Sequence, residues 1–325
     1  MITVLAGGVG AARFLRGLVD VVDPRDITVV VNTGDDTVLH GLAISPDLDT
    51  VTYTVAGAID PERGWGLANE SWTTMENLAR YVAVRPDGST AAPDWFNLGD
   101  RDLATHFYRT ARLAEGATLT EVTAEIARAW NLGLTLLPMS DDRVATMVDI
   151  VDVDGASRTV GFQEYFVRRR HSVPVTAVRF DGAETARPTF IEALETSQTI
   201  VIAPSNPIVS IGPVRALGGV DRTLEKSRDK VVAISPIIAG AALKGPADRM
   251  LSELGFEASV VGVARLYAPI CGTLVIDKQD EGSRAAVEAE GMRCIVTDTI
   301  MRTPEITSRL ARVVVNAPEQ GAPHE

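Results

Sequence analysis

Four aspartates lie close together in two short segments near the start of the sequence, and carboxylates are the side chains that bind divalent cations. The first segment, NTGDD, supplies Asp35 and Asp36, and the second, SPDLDT, supplies Asp47 and Asp49. Gathered carboxylates repel one another unless a cation lies among them, and Mg²⁺ binds one or two carboxylates together with substrate phosphate oxygens. The set therefore predicts a magnesium site, although each aspartate alone is also typical of a turn or a helix N-cap.

A glycine-rich turn, GGVG at residues 7–10, joins a short apolar run to a helical pattern. Glycines in such a turn allow backbone N–H groups to approach a phosphate at the N-terminus of the helix. Arg13, in the first turn of the predicted helix, favours an anion there and also breaks the GxGxxG/A dinucleotide fingerprint. No GxxxxGK(S/T) motif occurs, so a Walker-type phosphate loop is excluded. A tight turn without a ligand is the alternative interpretation of these glycines.

Two further polar loops directly follow predicted strands. They are PSNP at residues 204–207, continued by Ser210, and SPII at residues 235–238, with Lys244 as the nearby cation. The prolines fix the backbone and leave polar groups free to bind a base or a phosphate, although turn formation alone explains either loop. A third segment, FQEYFVRRR at residues 162–170, could stack on a planar ring system or form an ordinary strand with a solvated basic end.

The elements that would position these loops indicate an α/β sheet built from both ends of the chain. Apolar, β-branched runs at residues 2–6 and 27–31 flank a helical pattern that starts near residue 11 and ends at Pro24. Further strands are predicted at residues 199–203, 230–234, 259–263, 273–276 and 293–297. Helices are predicted among them at residues 246–254, 281–290 and 304–314. Ligands of doubly wound sheets bind at the carboxyl ends of the strands, where the polar loops lie.

The middle of the chain has a different pattern, with helices predicted at residues 74–82, 102–113 and 119–130 and alternating strands over 145–180. The predicted fold class is α/β, a doubly wound, mostly parallel Rossmann-like sheet with a helical-plus-β insertion. The discontinuous core would comprise residues 1–58 and 196–316. The insertion, residues 59–195, would cover the site, and residues 317–325 would form a flexible tail.

Composition limits the function classes. The 325 residues contain 31 Lys and Arg against 43 Asp and Glu, a formal net charge of −12. Such a charge argues against a partner that is nucleic acid or an anionic membrane, because either needs a basic face. Two cysteines without a CxxC pair exclude a disulfide framework and a Cys-rich zinc site, and four scattered histidines argue against a histidine-built metal site. No apolar stretch approaches the ~20 residues of a spanning helix and no leader pattern occurs, so a cytoplasmic protein is expected.

Nine segments, in order along residues 1 to about 250, resemble the CofD-like transferases of coenzyme F-420 biosynthesis, including their actinobacterial FbiA branch. The segments are GGVGAARF, NTGDD, SPDLDT, ERGWG, LGDRDLATH, LPMSDDR, FQEYFV, PSNP with SIGP, and SPIIAG with LKGP. The resemblance implies transfer of a phosphoenolpyruvyl or 2-phospho-L-lactyl moiety from a guanosine-diphosphate-activated donor. The acceptor would be the ribityl hydroxyl of Fo, 7,8-didemethyl-8-hydroxy-5-deazariboflavin, and GMP would be released.

The resemblance also implies roles for individual residues and a homodimer. Asp35 and Asp47 would hold Mg²⁺, and Asp36 or Asp49 would be the base that accepts the proton of the attacking hydroxyl. The residues implied to bind Fo are Asp49, Asn97, Asp100, Arg101, Phe162 and Tyr165. Those implied to bind the donor and its nucleotide are Gly7, Gly8, Gly10, Arg13, Ser205, Asn206, Ser210, Ser235 and Lys244. No single residue distinguishes the enolpyruvyl donor from the lactyl donor. The sequence of residues 93–106, PDWFNLGDRDLATH, is more similar to actinobacterial members of the family, which favours the enolpyruvyl donor.

Two other functions are compared with this one. A non-catalytic, nucleotide-sugar-binding regulator of the same superfamily is the alternative, and the combination of PDLDT, GDRD and FQEYFV favours the Fo-binding branch over it. An NAD-dependent dehydrogenase is disfavoured because Arg13 breaks the fingerprint. In addition, Asn32 ends the second strand where an acidic residue would hold the ribose.

Overall fold

The computed structural model describes residues 1–243 and 245–318 of the chain. The strands are β1 (Ile2–Ala6), β2 (Ile27–Val31), β3 (Thr37–Leu39), β4 (Leu42–Ile44), β5 (Thr135–Pro138), β6 (Ala145–Val151), β7 (Ser157–Gly161), β8 (Val175–Asp181), β9 (Thr199–Ile202), β10 (Val231–Ile234), β11 (Ile237–Ile238), β12 (Ala241–Ala242), β13 (Thr273–Asp277) and β14 (Arg293–Thr297). The helices are α1 (Gly8–Leu18), α2 (Pro46–Val55), α3 (Thr73–Val82), α4 (Asp102–Ala114), α5 (Leu119–Ala129), α6 (Ile191–Thr196), α7 (Gly212–Arg215), α8 (Val220–Lys226), α9 (Ala247–Glu253), α10 (Val260–Tyr267), α11 (Arg284–Ala289) and α12 (Pro304–Val315). None of them is both long and apolar enough to cross a membrane.

Seven strands form one parallel sheet in the order β14-β13-β10-β9-β1-β2-β5. Strand β1 therefore lies between β2, which follows it directly, and β9, which begins almost 200 residues later. Strands β2 and β5 extend the sheet on one side of β1, and β9 and the later strands extend it on the other, so the strand order reverses between β1 and β9. Ligands of open α/β sheets bind at the carboxyl ends of the strands beside such a reversal. The sheet thus places the loops after β1, β2 and β9 next to one another.

The core has two layers because side chains alternate across the strands. Val4 and Ala6 pack on one face against α1, α2 and α12, while Leu5 packs on the other face against α8 and α10. All five residues of β1 and of β2 are buried, as the continuous apolar runs predict for strands covered on both faces. The predicted α/β class with its large parallel sheet is confirmed.

A smaller antiparallel sheet, β7-β6-β8, fits the alternating pattern of residues 145–180; it is called the β6–β8 sheet below. Strand β5 was not predicted, and it lies inside the predicted insertion while pairing in parallel with β2 at the edge of the large sheet. Residues 59–195 are therefore interrupted by a core strand, and the division into core and insertion stays a prediction with that correction.

The predicted strand at residues 259–263 is wrong, because this segment begins helix α10. Ser259 caps the helix by accepting hydrogen bonds from the backbone N–H groups of Val261 and Gly262, at 3.1 Å each. The β-branched run on its own resembled a strand, and the capping serine decides the outcome. The predicted tail lies outside the described residues from position 319 onward, whereas Ala317 is fully buried in the core.

Candidate active site

The four predicted aspartates lie on two neighbouring segments, the loop after β2 and the first turn of α2. Asn32 links the segments, since its Nδ2 donates to Asp35 Oδ1 and to Asp47 Oδ2 at 3.1 Å each. The strand–loop–helix arrangement brings Asp47 there because Pro46 begins α2 and places two aspartates in its first turn. The structure thus joins the two predicted metal ligands through one amide.

Asp35 and Asp47 are buried carboxylates that receive hydrogen bonds from uncharged groups. Gln163 Nε2 donates to Asp35 Oδ2 at 3.0 Å, opposite the Asn32 contact. Burial raises the pKa of Asp35 well above its usual range, and the charge of Asp47 raises it further. Burial also raises the pKa of Asp47 to about 6, against the opposing effect of hydrogen bonds from Asn32 and the Gly8 amide. Two such carboxylates fit a hard divalent cation, whose charge would offset the cost of ionising them.

Asp36 has one oxygen without a partner. Ser45 Oγ donates to Asp36 Oδ2 at 2.6 Å, whereas Asp36 Oδ1 is buried and accepts no hydrogen bond from any described residue. Burial raises the pKa of Asp36 to about 8, although the Ser45 hydrogen bond and the charge of Arg109 oppose the rise. An unpaired carboxylate oxygen beside the two predicted cation ligands is available to a ligand or to a proton.

Asp49 faces away from this cluster toward α4. Arg109 donates to both of its oxygens, with Nη1 at 3.1 Å from Oδ2 and Nη2 in close contact with Oδ1, and the Arg109 side chain is only 1% exposed. His106 Nδ1 lies 3.7 Å from Asp49 Oδ2. A carboxylate held at both oxygens by a buried guanidinium is poorly placed to accept a proton or to bind Fo. The structure therefore disfavours Asp49 in both implied roles and leaves Asp36 as the candidate base.

The Asp49–Arg109 pair extends into a buried network on α4. His106 Nε2 lies 3.3 Å from Asp102 Oδ2, and the Tyr53 hydroxyl donates to Asp102 Oδ1 at 2.5 Å. Ligand atoms of Asp49, Asp102 and His106 lie within 4.8 Å of one another, a spacing that would suit a metal ion. The bound guanidinium already supplies positive charge there, so we interpret the group as an ion-pair network. Its signal in the sequence is the i, i+4 and i+7 spacing of Asp102, His106 and Arg109, which share one helix face.

The glycine turn meets the loop after β9 and the acidic cluster. Ser205 Oγ donates to Gly7 O at 2.9 Å and accepts from Gly7 N at 3.3 Å. A Cβ on Gly7 would lie 2.7 Å from Ser210 Cβ and 3.0 Å from Asp47 Oδ2, so only glycine fits. Gly8, with φ of 72°, begins α1, and the N-terminus of this helix adjoins the carboxylates. The glycine turn and the loop after β9 thus adjoin the predicted cation ligands.

Gly10 offers a direct test of this close packing. A Cβ at Gly10 would lie 2.3 Å from the carbonyl oxygen of Pro204. We expect Gly10→Ala to lower the free energy of unfolding by about 1–3 kcal/mol through overpacking, although alanine normally favours a helix. Gly218→Ala is the matched control, because a Cβ there has open space. Urea unfolding of both variants checks this, and equal stabilities would contradict the contact.

Other predicted donor residues hold their own loops together. Asn206 Oδ1 accepts from the backbone N–H groups two and three residues later, at 2.9 and 3.4 Å. Ser235 Oγ donates to Ile237 O and accepts from Ile237 N. These contacts favour turn formation over ligand binding for the side chains of Asn206 and Ser235. Arg13 is exposed on α1. Lys244 lies outside the described residues.

The residues implied to bind Fo do not form one group. Asp100 caps α3, because its oxygens accept from the Ser71 hydroxyl at 2.6 Å and from the backbone of Thr73 and Thr74 at 2.9 and 3.0 Å. These hydrogen bonds lower the pKa of Asp100. Arg101 Nη1 donates to Ala68 O at 2.7 Å. The structure gives Asp100 the helix-capping role.

Asn97 is exposed and lines a cleft of about 380 Å³ between α3 and the loop that precedes α4, with Trp72, Met75 and Pro93. Asn97 thus remains accessible to a ligand, and its implied role stays a prediction.

The aromatic segment packs mainly on itself. Tyr165 is fully buried in the core of the β6–β8 sheet, which disfavours a role for it in binding Fo. Phe162 stacks on Phe166 with ring centroids 5.5 Å apart, and Phe166 stacks on His171 at 5.3 Å. The residue of this segment that reaches the carboxylates is Gln163, which the sequence did not single out.

Comparison with known proteins identifies the family. The family model for "2-phospho-L-lactate transferase CofD" matches residues 2–315. The chain belongs to the CofD family. The resemblance seen in the sequence is confirmed, and this CofD-family protein is accordingly a transferase of the phosphoenolpyruvate and 2-phospho-L-lactate class.

Named relatives of this CofD-family protein include phosphoenolpyruvate transferases from three actinobacterial sources. The protein of Kitasatospora aureofaciens is 45% identical, that of Streptomyces griseus is 43% identical, and 98% of each chain is covered in both comparisons. The protein of Mycolicibacterium smegmatis is 41% identical, with 96% of each chain covered. A solved structure, a UPF0052-family protein from Bacillus halodurans, covers 97% of this chain and 98% of its own with a TM-score of 0.60. Its 14% identity shows a shared fold and nothing more.

Proposed function

We propose that this CofD-family protein transfers a phosphoenolpyruvyl group from a guanosine-diphosphate-activated donor to the ribityl hydroxyl of Fo. The observation that carries the proposal is the contact between the glycine turn and the acidic cluster, through Gly7 and Asp47. Phosphoryl transfer needs little covalent chemistry from the protein and depends on positioning and charge neutralisation. The 41–45% identical relatives are named phosphoenolpyruvate transferases, which favours the enolpyruvyl donor over the lactyl donor.

In the proposed reaction, the terminal hydroxyl oxygen of Fo attacks the phosphorus that carries the enolpyruvyl group. The bond between that phosphorus and the bridging oxygen of the diphosphate breaks, and GMP leaves. The product is dehydro-coenzyme F-420-0, or coenzyme F-420-0 with a lactyl donor. In its ionised form Asp36, whose Oδ1 has no partner among the described residues, accepts the hydroxyl proton. A loose transition state asks little of this base.

Asp35 and Asp47 would hold Mg²⁺, which when bound supplies positive charge to the diphosphate. Asn32 and Gln163 orient these carboxylates without neutralising them. Backbone N–H groups at the start of α1 bind donor phosphate oxygens, because the positive end of the helix dipole lies there. We also propose, from the family resemblance, a homodimer that acts in the cytoplasm.

The nucleotide-sugar-binding regulator is the competing function, and Fo fluorescence separates the two. Purified protein is titrated into Fo with and without Mg²⁺ and GDP, and products from each donor are identified by mass. We expect saturable binding of Fo and a product heavier than Fo by the phosphoenolpyruvyl unit. Absence of Fo binding under every condition would refute the transferase proposal and favour the regulator.

A further inference from the structure

Gln163 connects the β6–β8 sheet to the acidic cluster. It follows β7 and is 8% exposed, and its Nε2 donates to Asp35 Oδ2 at 3.0 Å across 128 residues of sequence. The other oxygen of Asp35 accepts from Asn32. Each oxygen of this carboxylate is therefore fixed by one side-chain amide, and the two amides come from different sheets.

The segment around Gln163 is itself firmly held. It enters a short π-helix, Glu164–Arg168, whose Tyr165 side chain is buried beneath the β6–β8 sheet. Beyond it, Arg169 Nη1 pairs with Asp152 Oδ1 at 2.5 Å, and Arg169 Nη2 lies 3.3 Å from Glu164 Oε1. The buried ring of Tyr165 and the two ion pairs of Arg169 thus restrict the segment directly after Gln163. They keep the Gln163 amide close to Asp35.

The same sheet makes a second contact with the loop after β2. Thr146 N, at the start of β6, donates to Gly34 O at 2.6 Å. A Cβ on Gly34 would lie 2.7 Å from Thr146 Oγ1, so the two backbones are in close contact. The residues directly before and at Asp35 are thus both fixed by the β6–β8 sheet.

The side-chain amide of Gln163 donates a hydrogen bond to Asp35 without carrying a charge. The guanidinium of Arg109 neutralises Asp49, whereas the amide of Gln163 orients Asp35 and leaves its charge unpaired. Each carboxylate oxygen accepts more than one hydrogen bond or ligand, so an oxygen bound to an amide can still contact a cation. Partners that orient a metal ligand in this way typically change metal affinity or activity 10–100-fold when removed.

We propose that Gln163 is a positioning residue that fixes Asp35 for cation binding and makes the cation site depend on the docked β6–β8 sheet. The inference rests on the proposed function, which assigns a divalent cation to Asp35 and Asp47. Its distinguishing consequence is a loss of cation affinity, with little change in the affinity for the acceptor.

The test is Gln163→Met in the full chain, which keeps the length of the side chain and removes the N–H donor. Binding of Mn²⁺ to the substrate-free protein is measured by calorimetry, and Mg²⁺ dependence is measured in the transfer assay. We expect the Mn²⁺ dissociation constant to rise 10–100-fold. The Mg²⁺ concentration for half-maximal rate should rise in parallel, while the KM for Fo stays within about twofold. Gln279→Met is the control for the amide-to-thioether exchange, since Gln279 follows β13 and its hydrogen bond to Asp277 Oδ1 comes from the backbone N–H, which methionine keeps.

The possible outcomes separate this role from the proposed function. Unchanged Mn²⁺ affinity in Gln163→Met, with clear binding by the unaltered chain, would overturn the role of Gln163 alone. Absence of Mn²⁺ binding by the unaltered chain would overturn the cation site and the inference together. If the methionine variant does not fold, Gln163→Asn provides the same test, because its amide is one methylene too short to reach Asp35. Equal weakening by Gln279→Met would show a general effect on the fold and would also count against the proposal.

Discussion

Asp47→Asn is expected to abolish transfer while making the folded protein more stable. The substitution removes one of two carboxylates proposed to hold the cation, and a catalytic cation contributes several kcal/mol to charge stabilisation. A loss of about 4 kcal/mol corresponds to a rate decrease of about 10³-fold. The stability rises because ionised Asp47 is buried at a cost, as its pKa of about 6 records. Turnover and thermal unfolding of the same preparation check both effects.

The pH dependence of that stability gain has a definite sign. Asp47 has a higher pKa in the folded than in the unfolded protein, so its ionisation lowers the free energy of unfolding as the pH rises from the unfolded pKa, 3.8, to about 6. The advantage of Asp47→Asn over the unaltered chain should therefore be present above pH 6 and vanish near pH 4. It is measured without added cation, because a bound cation would stabilise the ionised group.

Asp277→Asn is the matched control for this prediction. Asp277, the last residue of β13, is also a buried aspartate, but it accepts hydrogen bonds from Gln279 N at 3.0 Å and from Thr299 N at 2.8 Å. These donors help to lower its pKa, so its ionised form is stabilised by folding. The same substitution should destabilise the protein at neutral pH and leave Mg²⁺ dependence intact. Full turnover with unchanged Mg²⁺ dependence in Asp47→Asn would remove the assignment of Asp47 to the cation.

Arg109→Met is expected to lower the free energy of unfolding by about 3–5 kcal/mol, the typical cost of leaving a buried charge without its partner. Asp49 is 5% exposed, and both of its oxygens are held by Arg109. Replacing both residues, with Asp49→Leu and Arg109→Met, should recover most of the loss, because no unpaired charge then remains. Urea unfolding of the two single variants and the double variant completes the cycle.

Arg112→Met provides the comparison on the same helix. Arg112 pairs with Glu125 at 3.0 Å, but its side chain is 31% exposed, so solvent screens the pair and we expect a smaller loss of stability than in Arg109→Met. If Arg109→Met costs no more than Arg112→Met, the buried pair does not stabilise the fold. Because Asp49 is two residues from Asp47 on α2, we also expect Arg109→Met to reduce transfer.

The parallel sheet was predictable because its strands are continuous apolar runs with β-branched residues. Strand β5 was not predictable, because it has only four residues, TLLP, and its two leucines do not distinguish a strand from a continuation of the preceding helix. Helix α10 was mistaken for a strand because Val260, Val261 and Val263 have high strand propensity. There the N-cap at Ser259 and the packing around Gly262 outweigh propensity.

The acidic cluster was also predictable, because in a parallel sheet the carboxyl ends of the strands and the helices that follow them lie at the same edge. The partners of those acids were not. Asp102, His106 and Arg109 have the spacing of an ordinary solvated helix face. Contacts of α4 with α2 and β4 bury His106 and Arg109 and leave Asp102 partly exposed. Likewise, motif letters do not say whether Asp100 binds a ligand or caps a helix, since both roles need a carboxylate near free N–H groups.

The position of β1 between β2 and β9 also governs how this protein must be made. Strands β1, β2 and β5 can pair once the ribosome has released the first 138 residues, but the β9 side of β1 then stays open. At about 5–20 residues per second, the 198 residues from Gly7 to Ser205 take about 10–40 s to synthesise. During that interval the nascent chain exposes an apolar strand edge, the type of surface that chaperones bind and that otherwise aggregates. The contact between Ser205 and Gly7 therefore forms only after β9 has been made, and truncated chains that end before β9 should accumulate as insoluble protein.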